Sequence, residues 1–570
     1  MSALIGIDLG TSTTEAAIYR DGKKEMILNL DGKAVTPSAV GIDSGGNWVV
    51  GERARAQYLL SPENTAVEVK RKMGTGESVA LGKIKYSPVD LQARLLSYVR
   101  TYASEYLGEN VERAVISVPA YFNDIQRRET ILAGERAGFS VERILNEPTA
   151  AALSYGLDHM DEESHILVYD LGGGTFDVTL LEMFDGVLEV KASSGDNQLG
   201  GKDFDEKLMD LLFKRFQDKH GVDLRGDQYA VVRIKEEAEK CKITLSEQDA
   251  CHVLIPAVRA IEGKPVELDE TVTREEFEEL CRELLQRTHH PIDVVLDDAG
   301  ISENEINRII LVGGSTRMPM VSRDIEKYLE MAPETAVNPD YAVAEGAAIQ
   351  AGMISGEIRS EDSLVMTDVN PYTLGIRVMD GLDDNVMSVI IPRNVTIPVT
   401  RTERYSTSAP YQTEAKIEAY QGESRIASHN HPLGNFMFKG IPPRPAGTES
   451  LDVRFSYDLN GILNITAVLV STGKEASMQI DMAKGAENMP DLSKWKEAAG
   501  AKAYRAIIRT AERLISGKGG DLPFELREKL RETLDELKRA LVQGNPDDAE
   551  DASEALSELV EAARSMRDMT

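Results

Sequence analysis

Apolar and polar positions change rhythm three times along the chain. Up to about residue 355, short apolar runs alternate with longer stretches in which apolar residues recur at three- and four-residue spacings. Residues 4–7, 166–169 and 309–312 read as strands, and 91–107, 124–137, 204–217, 233–243 and 274–296 as amphipathic helices. Strands alternating with helices predict an α/β region. From 368 to 482 the runs become short and alternating, punctuated by Gly, Pro and Asn, with the hairpin signal Asn460-Gly461 between Phe455 and Ile465. That is a β module. The remainder is helical: Leu526, Leu530, Leu534, Leu537 and Leu541 form one apolar stripe, and Ala552, Leu556, Leu559, Ala563 and Met566 a second, with starts at Pro523 and Asn545-Pro546. The stripes read as mutual helix packing. Between the α/β and β regions, Leu364-Val365-Met366 is apolar and framed by Glu361, Asp362 and Asp368, where a plain linker would be polar.

An internal repeat sharpens this outline. An apolar strand runs into Asp8-Leu9-Gly10-Thr11-Ser12-Thr13 and again into Asp170-Leu171-Gly172-Gly173-Gly174-Thr175, each followed by a second strand-like run. Two similar lobes are implied. A third turn of the same kind, Gly313-Gly314-Ser315-Thr316-Arg317, follows the strand at 309–312.

Composition removes several function classes. The 64 Lys and Arg against 95 Asp and Glu leave a formal charge of −31, which opposes nonspecific binding to nucleic acid or anionic lipid. The start carries no cationic leader and no run of roughly 18 apolar residues occurs, so a soluble, cytoplasmic chain with no membrane partner is expected. Cys241, Cys251 and Cys281 form no CxxC pair and read as unpaired thiols without a metal. The Gly195, Gly200-Gly201 and Lys202 frame fails as a P-loop by one residue, no GxGxxG follows a strand, and no HExxH is present; His289-His290 read as a polar helix pair before Pro291.

Glycine turns at strand ends let backbone N–H groups approach phosphates closely. Asp8 and Asp170 at those ends suit a hydrated Mg²⁺ bridging phosphate oxygens. Hydrolysis also needs a cation near the γ-phosphate and a group that orients water, for which Lys70 and Glu147 are candidates. Lys70 reads equally as a solvated lysine in a basic run, and Glu147 as a helix N-terminal acid.

The stretches IGIDLGTSTTEAAIY from Ile5, VISVPAYFNDIQRR from Val115, ILNEPTAAALSYG from Ile144, VYDLGGGTFDVTLLE from Val168, GDNQLGGKDFD from Gly195, EAEKCKITLS from Glu237, ILVGGSTRMPMV from Ile310 and NPDYAVAEGAAIQAG from Asn338 occur in this order. With DVNPYTLGI from Asp368, AYQGES from Ala419 and FSYDLNGILNITA from Phe455, they make the chain resemble the 70-kilodalton heat-shock (DnaK-type) chaperones over nearly its whole length. The resemblance implies a multidomain protein: an actin-like, two-lobed α/β ATPase domain over 1–358, a linker over 359–368, a β-sandwich peptide-binding domain over 369–482 and a short helical lid over 483–570. It implies ATP or ADP with Mg²⁺, K⁺ being a further candidate ion. Gly10, Thr11, Ser12, Thr13, Gly172, Gly173, Gly174, Gly200 and Gly201 would meet phosphates, with Asp8 and Asp170 near the metal. Lys70, Glu147, Asp170 and Thr175 would act in hydrolysis. Glu239, Lys242, Ser246, Gly313, Gly314, Ser315, Arg317 and Asp340 would surround the adenosine. Pro119 and Arg127 match a relay of nucleotide state, Arg143 a contact for J-domain partners and the linker, and Leu364, Val365, Met366 and Asp368 the linker itself. Ile376, Val378, Met379, Tyr405, Ser408, Ala415 and Ile417 would line a peptide groove. The implied partners are unfolded or extended clients, a J-domain co-chaperone and a nucleotide-exchange factor.

Three departures qualify that picture. Ala415 stands where valine is usual, which widens the pocket. Thr367 replaces a common linker leucine, which weakens docking. The lid is shortened between Asp491 and Leu522, which with TDVNPYTLGI points to the HscC-like bacterial branch. The competing readings are a small-molecule kinase on the same fold, a filament former, and a chaperone-like regulator with one dedicated partner.

Overall fold

The computed structural model describes residues 2–157, 163–184, 186–261, 263–334, 338–359, 364–381, 383–478, 495–496, 500–515, 526, 530, 533–534, 537–538, 540–542 and 546–567. The expectations at 361–363, Pro523, Asn545 and the Met566 side chain, and much of the 483–570 segment, lie outside these residues.

The repeat folds as two sheets of like pattern. Leu4–Leu9 pairs antiparallel with Thr13–Arg20 and parallel with Arg113–Val118. Ser164–Leu171 pairs antiparallel with Phe176–Phe184 and parallel with Arg308–Val312, so the third glycine turn leaves the strand beside the second. Helices bury their apolar stripes on these sheets. Pro88–Leu107 begins before its apolar pattern does, because Ser87 Oγ accepts from the Asp90 N–H at 3.1 Å and Pro88 suits the first turn. Gly201–His220, Gln228–Glu247 and Arg274–Ala299 likewise run beyond the apolar stretches that predict them. Glu147–Gly156 and Ala342–Ser355 pack together, and a Cβ on Gly346 would lie 1.7 Å from the Ala150 carbonyl oxygen. This contact admits only glycine and sets the two sheets against one another.

The β module has two four-stranded sheets, one around Leu374–Asp380 and Glu414–Gln421, the other around Ser450–Tyr457 and Leu463–Leu469. Both contribute to one core containing Phe438, Phe455, Ile376, Ile417 and Ile465. Phe455 faces Ile465 as the hairpin signal predicts, and the turn is the longer loop 458–462, organised by Asp458 Oδ1 accepting from the Asn460 and Ile462 N–H groups. At the C-terminus, described residues of both stripes, Leu530, Leu534, Leu537, Leu541, Ala552, Leu556 and Ala563, share one core with Trp495. No described helix is long and apolar enough to cross a membrane. All three cysteines are free and buried.

The apolar patch between the regions becomes a strand. Val365–Val369 pairs parallel with Val187–Asp196 and antiparallel with Thr396–Ile397, so it joins the sheet that carries Asp170. Leu364 is buried with Leu153, Ile349 and Ile358, Met366 is partly buried, and Val365 is exposed. Thr367 Oγ1 is buried with no hydrogen-bond partner among the described residues, an unpaid desolvation that opposes this docking.

Candidate nucleotide-binding site

Asp8 and Asp170 sit near the ends of equivalent strands, and the turns after them face one cavity of about 480 Å³. The first turn is held by Ser38, whose Oγ donates to the Gly10 carbonyl at 2.9 Å. In the second, the Gly172 carbonyl accepts from the Gly201 N–H at 2.9 Å and from Ser315 Oγ at 2.8 Å. Gly200 packs directly on this turn: a Cβ there would lie 2.4 Å from the Gly174 nitrogen. Of the residues expected at phosphates, Gly10, Thr11, Ser12, Thr13, Gly172 and Gly173 line the cavity, whereas Gly174 and Gly200 do not. Gly201 lines a smaller adjoining cavity of about 160 Å³ instead. Close backbone packing and phosphate approach both call for glycine, and Gly200 is held to glycine by packing in any case.

The hydrolytic candidates converge. Lys70 is 4% exposed and its ammonium lies 2.5 Å from Glu147 Oε1, so it is no solvated lysine. Glu147 also occupies the first turn of Glu147–Gly156, so both readings of it hold at once. Asp8, Asp170 and Thr175 line the same space, and Asp8 Oδ1 accepts from Ser117 Oγ at 2.8 Å. Two further acids belong to the cluster: Glu15 lies opposite Asp8, and Asp177 opposite Asp170, on the antiparallel neighbours. Their equal spacing within the two repeats is a sequence signal that would have found them.

Burial pushes Asp8 up to about 7, the charge of Glu147 adds to it, and Lys70 and the Ser117 hydroxyl pull the other way. Burial and then Glu147 push Asp177 up to about 7 as well. Burial is also the first cause of the raised Asp170 and Glu15. Asp177 Oδ2 has no hydrogen-bond partner among the described residues. Such an acid-rich, cation-poor centre fits a divalent ion. Among the described residues no three His, Cys, Asp or Glu side chains form a metal cage.

A carboxyl whose pKa rises on folding, here from 3.8 to about 7, weakens the fold as pH climbs between those values, because the folded state must release a proton that it binds more tightly than the unfolded chain does. Bound Mg²⁺ would offset the charge then exposed. Thermal unfolding followed from about pH 5 to pH 8 is expected to show stabilisation by Mg²⁺-nucleotide growing with pH. A pH-independent stabilisation would contradict the acid cluster as the ion's seat.

The adenosine candidates line the same cavity. Gln228–Glu247 presents Glu239, Lys242 and Ser246, and also Ile243 and Glu247, which helical spacing from Glu239 would have revealed. Gly313, Gly314, Ser315, Arg317 and Asp340 form the facing wall, with Arg317 Nη2 donating to Asp340 Oδ2 at 2.5 Å. Val312, Met318 and Val343 add apolar lining suited to a base.

The relay candidates lie together behind Glu147. Arg127 is buried and donates to the Ala120 carbonyl at 3.0 Å and to Asn146 Oδ1 at 2.7 Å, while Asn146 Nδ2 donates to Asp368 Oδ2 at 2.7 Å. Pro119 is buried just upstream, and Arg143 lies near enough to Asp368 for their charges to interact. The β module meets this region directly: Asp124 Oδ1 accepts from the Leu463 N–H at 2.7 Å, and the Ile144 N–H donates to Asn460 Oδ1 at 3.0 Å. Of the peptide candidates, Ile376 and Ile417 are in the β core, with Val378, Tyr405 and Ala415 packed against it. Met379 and Ser408 are exposed and lie outside that cluster.

Two like sheets that enclose an acid-centred cavity between glycine turns define a nucleotide-phosphate site. The family model described as Hsp70 protein matches residues 4–80 and 75–568, and the chain belongs to the Hsp70 family. Members of this family are ATP-dependent chaperones and ATPases that use ATP and ADP with Mg²⁺, and they typically act on unfolded clients with J-domain proteins.

Proposed function

We propose that the chain couples ATP turnover in an actin-like ATPase domain, 1–358, to release of extended apolar peptide from a β-sandwich, 369–482, through the linker 359–368, with 483–570 as a short lid. The observation that carries this reading is the strand Val365–Val369. It extends the sheet holding Asp170, and its Asp368 grips Asn146, the residue before Glu147. A change at the γ-phosphate beside Lys70 and Glu147 is thereby one residue away from the contact that holds the linker, giving a two-state element that both ligands bias.

Asp8 and Asp170 would hold Mg²⁺, which supplies charge neutralisation at the phosphates. Lys70 places positive charge where the γ-phosphate accumulates negative charge, and Glu147 and Thr175 orient water. In the sandwich, a client strand pairs with backbone and seats an apolar side chain by Ile376, Ala415 and Ile417. Arg143 and the linker form the J-domain contact, a nucleotide-exchange factor assists ADP release, and the short lid allies the chain with the HscC-like branch and with rapid client exchange in the cytoplasm. The test is dissociation of a fluorescent Leu-rich peptide in ADP and then after Mg·ATP. Faster release with ATP is expected, and release indifferent to ATP would sink the reading. A peptide array with one strong hit would instead favour a regulator of one dedicated partner.

A further inference from the structure

The turn that carries Lys70 is fastened across the cleft on both sides of that residue. Glu68 opens the turn Val69–Lys72 with φ 63°, a left-handed conformation that a side chain disfavours. Its carboxylate meets Lys235 Nζ at 2.5 Å and Lys202 Nζ at 3.1 Å. The two lysines come from separate helices, Gln228–Glu247 and Gly201–His220. An exposed ion pair would contribute little, but the Lys202 side chain is only 8% exposed and that of Glu68 26%. Burial raises the Glu68 pKa, yet Lys202 and then Lys235 outweigh it and bring it down to about 2, so the carboxylate stays charged. On the far side of Lys70, Arg71 donates to the Gly174 carbonyl at 2.8 Å and to Asp203 Oδ2 at 2.8 Å. Lys70 therefore projects from a short backbone segment pinned at both ends to the half of the protein that carries Thr175.

We propose that Glu68 is a positioning residue for ATP hydrolysis: by anchoring to Lys202 and Lys235 it fixes the backbone from which Lys70 reaches the transferred phosphate. The inference rests on Lys70 acting in hydrolysis as argued above. Glu68 touches no reacting atom and acts only through Lys70. A mere cleft fastener would instead govern how fast nucleotide leaves.

Single-turnover hydrolysis of prebound Mg·ATP and dissociation of a fluorescent ADP, measured on the full chain, separate these roles. Glu68→Gln keeps the side-chain shape and removes the charge. It is expected to slow hydrolysis by roughly tenfold through misplacement of Lys70, with ADP dissociation within about twofold of wild type. Lys235→Ala, which breaks the anchor from the other helix, is expected to shift hydrolysis in the same direction, and it serves should Glu68→Gln fail to fold. Adding Glu68→Gln to Lys70→Ala is expected to slow hydrolysis no further than Lys70→Ala alone. Hydrolysis at the wild-type rate, faster ADP release without a hydrolytic defect, or an additive loss in the double variant would each overturn the proposal. Wild-type hydrolysis in Lys70→Ala would remove the reading of Lys70 itself and the proposal with it, whereas a defect there but none in Glu68→Gln would remove only the proposal.

Discussion

Replacing Lys70 with alanine is expected to slow ATP hydrolysis by roughly 100-fold while nucleotide affinity stays within a few-fold of wild type. The asymmetry follows from where the charges lie. Of the cations lining the main cavity, Lys242 pairs with Asp205 and Arg317 with Asp340, whereas Lys70 pairs with Glu147 and its charge acts on Asp8 and Asp170. A cation aimed at developing charge in a buried site stabilises the transition state more than the bound ground state. The contacts that support the phosphate turns, Ser38 to Gly10 and Ser315 to Gly172, do not involve Lys70 and survive its loss. Glu147 loses its 2.5 Å partner, so a lower unfolding temperature should accompany the slow hydrolysis. Single-turnover hydrolysis beside calorimetric nucleotide binding checks the split. A fall in affinity as large as the fall in rate would contradict it, because Lys70 would then be holding nucleotide rather than promoting its cleavage.

What could be read from the sequence follows from how local each signal is. The two Asp-Leu-Gly turns repeat with their flanking strands, so the paired sheets and the position of Asp8 and Asp170 at strand ends were legible from periodicity alone. Glu15 and Asp177 were present in the same repeat but went unread, because their role depends on antiparallel register, which puts each opposite an aspartate. Helix ends depart from the apolar spacing where capping decides them, as at Ser87. Gly174 and Gly200 look like phosphate glycines in sequence, yet their backbones pack on each other. Contacts between the α/β region and the β module left no local trace. Asp124 stands in the first turn of its helix, where an acid favours the dipole, and only the docked arrangement shows it accepting from Leu463. Asn460 similarly reads as a turn former and also accepts from Ile144. Met379 and Ser408 follow the peptide-groove motif but lie outside the apolar cluster that contains its other members, since motif position fixes neither exposure nor packing.

Substituting Asp368 with alanine is expected to uncouple ATP from client release while leaving basal hydrolysis close to wild type. The Asp368 side chain is buried; Oδ2 accepts from Asn146 Nδ2 at 2.7 Å and from Thr149 Oγ1 at 3.4 Å, and Oδ1 from the Val369 N–H at 2.9 Å. Burial raises its pKa, and the Val369 N–H, Arg127, Asn146 and Arg143 oppose that rise. The carboxylate thus sits among two arginines and an amide, and deleting it leaves the Arg143 and Arg127 charges without that compensation inside the docked interface. Removing one partner from a buried charged network costs about 3 kcal/mol or more, which is more than a hundredfold in the docking equilibrium. Undocked linker has a second reason to stay undocked, since Thr367 Oγ1 is buried with no hydrogen-bond partner among the described residues when the strand forms. None of these groups lines the nucleotide cavity, so turnover without client should change little. Peptide dissociation on adding Mg·ATP, and proteolysis at Leu364-Val365-Met366 with ATP bound, report the two halves of the expectation: slow release and a cleavable linker. ATP-accelerated release at the wild-type rate in Asp368→Ala would show that the Asn146 contact does not carry the coupling, and would shift that role to the direct contacts of Asp124, Ile144 and Arg128 with the loop 458–462 and Leu463.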